Sequence, residues 1–119
     1  MGFVQVRIAL ENLARPGTRR DLDALVDTGA LYSLIPADTL RGIGIEPRER
    51  QTFELASGDA IERGAGEARF FFDGRSAASP VIFGEEGESP LLGVVTLESM
   101  GLEVVPVRRQ VRPTRMILY

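Results

Sequence analysis

The heptapeptide Ala24-Leu25-Val26-Asp27-Thr28-Gly29-Ala30 constrains this chain more than any other segment. A short apolar run ending in Asp-Thr-Gly sets a carboxylate where a buried strand breaks into a loop. Thr and Gly are small enough for two such loops to meet face to face. Asp-Thr-Gly alone also recurs in turns, where the Asp side chain caps the following backbone. Here a second apolar element ending in Gly, Pro90-Leu91-Leu92-Gly93, follows further along the chain.

The missing residue types narrow the chemistry. Of 119 residues none is Cys or His, and all 14 basic residues are Arg. That removes disulfides, thiolate nucleophiles, Ser-His-Asp and Cys-His catalysis, Schiff-base lysines and the usual metal sites. No metal and no organic cofactor is expected, so acid–base chemistry falls to carboxylates or tyrosines. The net charge of −3 argues against a nucleic-acid binder. The one basic cluster, Arg108, Arg109, Arg112 and Arg115, reads as a solvated strand face or as a contact for an anionic partner. No apolar stretch approaches the roughly 20 residues of a membrane span. The N-terminus lacks a secretory layout, so no membrane partner and a cytoplasmic location are the default expectations.

The length suits one domain, residues 1–119. Phe3 to Leu10 alternates with Val4, Val6, Ile8 and Leu10 on one face, the period of a half-buried strand. Asp21–Val26, Tyr32–Ile35, Thr52–Leu55, Glu67–Phe72 and Pro80–Phe83 read as further strands, with Asp73-Gly74 as a tight hairpin turn. Pro36–Arg41 suits one helical turn closed by Gly42 or Gly44, and Val94–Met100 a helix stopped by Gly101. Leu102–Val107 and Val111–Leu118 read as a final strand pair, making residues 104–119 a β extension. Gly64 and Gly66 suggest a bulge or hinge. The pattern predicts an all-β domain, mostly antiparallel, as a barrel or sandwich.

Hydrolysing a peptide bond without a metal or a nucleophilic side chain takes two carboxyls. One activates water while the other donates a proton, and held a few Å apart they share one proton. The chain has one Asp-Thr-Gly, so a monomer lacks the pair. A two-fold dimer supplies it, because an isologous interface brings the same residue to the axis twice.

The run into Asp27-Thr28-Gly29-Ala30, the apolar Ser33-Leu34-Ile35 after it, the small-residue turn Ala56–Ala60 and Leu91-Leu92-Gly93 leading into Thr96–Gly101 together resemble the retropepsin-like, single-domain aspartic proteases of clan AA. The resemblance spans roughly residues 3–103. It implies a closed β-barrel with one short helix after Leu-Leu-Gly, a Gly-tipped hairpin flap and a homodimer acting on peptides or proteins. By resemblance Asp27 binds the attacking water, Thr28 bonds across the dimer and Gly29 admits backbone amides to the carboxylates. Ala30, Leu31, Ser57, Gly58 and Asp59 would touch substrate, and Leu91, Leu92 and Gly93 would brace the loop from below. Many viral members carry an acid two positions after the Gly and an Arg just after the apolar-apolar-Gly; here Leu31 and Val94 stand there, which suggests an apolar contact. The layout looks closer to small prokaryotic and cellular members than to viral ones. Thr114–Tyr119 is a candidate interface strand, an edge strand of the same barrel being the other reading. Two alternatives to a peptidase stay open: a catalytically weak or inactive dimerisation or peptide-binding module, and a chance Asp-Thr-Gly in an unrelated small β-barrel.

Overall fold

The computed structural model describes residues 4–105 and 108–115, which form nine strands and two short helices. β1 (Val4–Glu11) carries the expected alternation, with Ile8 and Leu10 buried and Val4 and Val6 packed against the core. It pairs antiparallel with β2 (Arg19–Val26) from Val4↔Val26 to Glu11↔Arg19. β2 begins earlier than its sequence suggests, because the polar Arg19 and Arg20 pair with a strand already in place.

β3 (Ser33–Pro36) leads into α1 (Ala37–Gly42). Pro36 stands just ahead of the helix with φ −51°, and Gly44 beyond it takes φ +81°, a backbone that favours glycine. β4 (Glu49–Glu54) and β5 (Ala60–Phe72) form a hairpin, and β5 turns through Asp73-Gly74 into β6 (Arg75–Gly84). Asp73 (φ +48°) and Gly74 (φ +78°) make the two-residue turn whose twist matches paired strands. β7 (Leu91–Leu92), α2 (Val94–Ser99), β8 (Leu102–Val105) and β9 (Gln110–Pro113) complete the chain.

Seven strands form one sheet in the order β1-β2-β7-β3-β6-β5-β4. β1 also pairs with β5 over Ala9–Glu11, so the sheet curls until its first strand meets its sixth. Leu10, Ile35, Phe70, Val81 and Leu92 fill the interior, and Leu40, Leu97 and Met100 bring the helices onto it.

Three expectations change. Two short helices flank the sheet where the resemblance implies one, and α1 falls on the helical turn expected at Pro36–Arg41. Gly64 and Gly66 mark no bulge: β5 keeps register with β4 from Glu49↔Ala65 to Glu54↔Ala60 and with β6 from Ala65↔Ile82 to Phe72↔Arg75. They are small because a Cβ would press on Pro47 at Gly64 and on the Phe83 ring at Gly66. The strand expected over Val111–Leu118 is shorter among the described residues: β9 spans Gln110–Pro113, pairs with β8 in a separate two-stranded sheet and leaves Thr114 and Arg115 outside it. Phe3, Pro106, Val107 and the Met116–Tyr119 end of the candidate interface strand lie outside the described residues.

Candidate active site

Asp27 stands one residue beyond β2, where the strand gives way to a loop. β7 runs parallel to the end of β2, with Leu25↔Leu91 and Val26↔Leu92, and antiparallel to β3 at Leu34↔Leu91. The two residues of β7 therefore lie between the strand that enters the loop and the strand that leaves it. Leu25 N donates to Pro90 O, and Asp27 N to Leu92 O, both at 3.0 Å. On the far side of the loop Val94 N donates to Ala30 O (2.9 Å) and Val95 N to Leu31 O (3.0 Å). The loop is clamped at both ends by one short stretch, residues 90–95, which runs through β7 into the start of α2.

Gly93 makes that closeness sterically feasible. Its φ of −95° is open to any residue, but an added Cβ would lie 2.5 Å from the Tyr32 carbonyl carbon and 2.6 Å from its oxygen. Both neighbours are backbone, so nothing rotates away. Beneath this contact Gly93 N donates to the buried Ser33 Oγ at 3.0 Å.

Within the loop Ala30 N donates to Asp27 O (3.1 Å), and Gly29 N donates to Asp27 Oδ1 (2.9 Å). The carboxylate thus caps its own turn, the role any loop Asp can play. Among the described residues Oδ2 has no hydrogen-bond partner. Asp27 and Ala30 are half-buried, while Thr28, Gly29 and Leu31 are exposed, Leu31 at 58%. A half-buried carboxylate with one oxygen held by an amide and the other open can bind water. One protomer carries one such group.

Ser57, Gly58 and Asp59 form the β4–β5 hairpin tip. Leu55 N donates to Asp59 O (2.8 Å), Gly58 N donates to Leu55 O (2.9 Å), and Gly58 takes φ +91°. Among the described residues no hydrogen bond joins this tip to the Asp27 loop. Contact comes lower on the arm, where the Phe53 ring meets Tyr32 edge-on, centroids 6.2 Å apart. The structure thus gathers Asp27–Leu31 with Leu91–Gly93, and among the described residues no hydrogen bond brings Ser57–Asp59 to them.

Tyr32 is the residue that sequence reasoning passed over. It also lines an open cleft of about 370 Å³ together with Arg48, Gln51, Glu67, Pro80 and Ile82. Its one sequence signal is its place directly after the loop. A larger cleft of about 520 Å³ lies between α1, β5 and the 84–88 loop. Asp27 lines neither.

No protein-family model and no curated protein matches the sequence. Among solved structures the chain is similar to the solution structure of the simian foamy virus (mac) protease. The two superpose with a TM-score of 0.57 at 18% identity, over 79% of this chain and 91% of that one. At that identity the shared property is the fold, which is retropepsin-like.

Proposed function

We propose that the protein is an aspartic endopeptidase whose dyad is Asp27 from each of two subunits. The observation that carries the reading is the clamped loop: Asp27 N and the carbonyls of Ala30 and Leu31 are all held by residues 92–95, with Thr28, Gly29 and Leu31 exposed. A loop held from beneath and open above presents its carboxylate to a second copy. In the dimer one carboxylate takes a proton from a bound water as the water oxygen attacks the scissile carbonyl carbon. The other, protonated, gives its proton to the carbonyl oxygen; the departing amine is then protonated as the C–N bond breaks, and the two carboxyls exchange roles. The hairpin tip Ser57–Asp59 serves as the flap over the substrate, with Ala30 and Leu31 along the groove. The curled sheet closes as a barrel around the core that supports both.

Peptide-library cleavage between about pH 3.5 and 7.5, the range in which a proton-sharing carboxyl pair works, tests the reading. Wild type should cleave on the acid side of neutral. Asp27→Asn should lower the rate by about 10²–10⁴-fold or more while keeping the fold. Retained activity in the mutant sinks the mechanism.

The second reading, a peptide-binding module without turnover, is favoured by the cleft beside Tyr32, which lies off Asp27. A folded, dimeric wild type that binds library peptides and cleaves none selects it.

A further inference from the structure

Three hydroxyls are shut away from water beneath the Asp27 loop: Ser33 (0% exposed), Ser79 (1%) and Thr96 (0%). They come from β3, β6 and α2. Ser33 Oγ lies 2.5 Å from Thr96 Oγ1, and Thr96 Oγ1 lies 2.8 Å from Ser79 Oγ. Two fixed ends orient every proton between them. Gly93 N, which only donates, gives its hydrogen to Ser33 Oγ (3.0 Å). The Pro80 carbonyl, which only accepts, takes the Ser79 hydrogen (3.1 Å).

A hydroxyl has one hydrogen to give. Ser79 spends its own on Pro80, so Thr96 must donate to Ser79. Thr96 is then committed, so Ser33 must donate to Thr96. The chain reads in one direction, Gly93 N–H to Ser33 to Thr96 to Ser79 to Pro80 C=O, with every donor matched to an acceptor. Its head is the amide next to Leu92, whose carbonyl holds Asp27 N.

We propose that Ser33, Thr96 and Ser79 are positioning residues whose one-directional hydrogen-bond chain fixes the loop carrying Asp27. Packing alone would accept Val at position 96, which has nearly the volume of Thr. Val leaves the Ser33 hydroxyl without an acceptor at zero exposure, and an unmatched buried polar group is costly. The least expensive relief is for Ser33 to shift, which moves the Gly93 amide and the loop resting on it. The catalytic part of this inference rests on the aspartic-peptidase reading; the structural part does not.

The test compares Thr96→Val with Thr96→Ser, which keeps the hydroxyl, by amide hydrogen exchange and by kinetics. In Thr96→Val, exchange at Gly93 and Asp27 should rise about tenfold or more relative to amides of the core strands β1 and β5, and kcat should fall with KM unchanged. Thr96→Ser should restore both to within about threefold, since the chain is remade. Should Thr96→Val fail to fold, Ser79→Ala cuts the far end of the chain and should show the same local loosening to a smaller degree. Acceleration spread evenly over all amides, or none, would overturn the proposal, as would a Thr96→Ser that behaves like Thr96→Val. A wild type that cleaves no peptide would count against the peptidase reading, while the exchange data would still decide the chain.

Discussion

Two glycines show how one residue type answers different demands. Gly93 has an ordinary φ and no room, because a Cβ would strike the Tyr32 backbone. Gly74 has all the room it needs and a left-handed φ of +78°. Gly93→Ala should therefore cost about 1–3 kcal/mol by overpacking and displace the loop. Gly74→Ala should cost about 1 kcal/mol of backbone strain and leave kcat as in wild type. Urea unfolding with kinetics separates them, and equal kcat in both variants would show that the Gly93 contact does not set the site. The sequence marks both glycines, Gly74 by its Asp neighbour and Gly93 by the leucines before it. The carbonyl that Gly93 makes way for is invisible there, because contact with Tyr32 arises only once β7 is inserted between β2 and β3. The Ser33–Thr96–Ser79 chain is illegible for the same reason: three common hydroxyls, far apart in sequence, carry no joint signature.

Strands announced themselves wherever one face is apolar and turn residues bound them, as in β1 and the β5–β6 hairpin. The first half of β5, Ala60 to Gly66, did not. It is polar and glycine-bearing, and becomes strand because β4 pairs with it from Ala60 to Ala65, with β6 taking over from Ala65 onward. A further link lies across that strand: the Arg63 guanidinium reaches Glu85 at 3.2 Å, tying the hairpin arm to the loop that leads into β7. The β8–β9 pair carries a pH response. The Thr114 hydroxyl first, then Arg112, hold the Glu103 carboxyl below its ordinary value. Both bonds favour the ionised form, so their contribution to stability is present above the ordinary carboxyl range and is lost as pH falls through the lowered value. Amide exchange in β9 should accordingly quicken at the acid end. Glu103→Gln should remove that pH dependence and loosen β9 at neutral pH. A β9 whose exchange, corrected for intrinsic rates, is flat with pH in wild type would contradict the assignment.

At the scale of the whole molecule, the sheet that curls back on itself explains how a chain of this length builds a core and still leaves its carboxylate loop on the surface. The peptidase reading requires that surface to meet a second copy of itself. On that surface Leu31 is 58% exposed, and its carbonyl is held by Val95 beside the half-buried Val94. On that reading association draws on burial of these apolar residues and depends little on salt. In the proposed dimer Leu31→Asp would place a charge on each side of the two-fold axis, where the two repel and neither has a partner. The dimer dissociation constant should rise about tenfold or more, a penalty of desolvation and like charge together. Sedimentation across a dilution series measures it, and the change should be larger in low salt than in high. Because each dyad needs two subunits, specific activity should fall with dilution along the same curve as the dimer fraction. Activity per subunit that stays constant as the dimer dissociates would mean that a single Asp27 suffices, and the two-carboxylate mechanism would be lost with it.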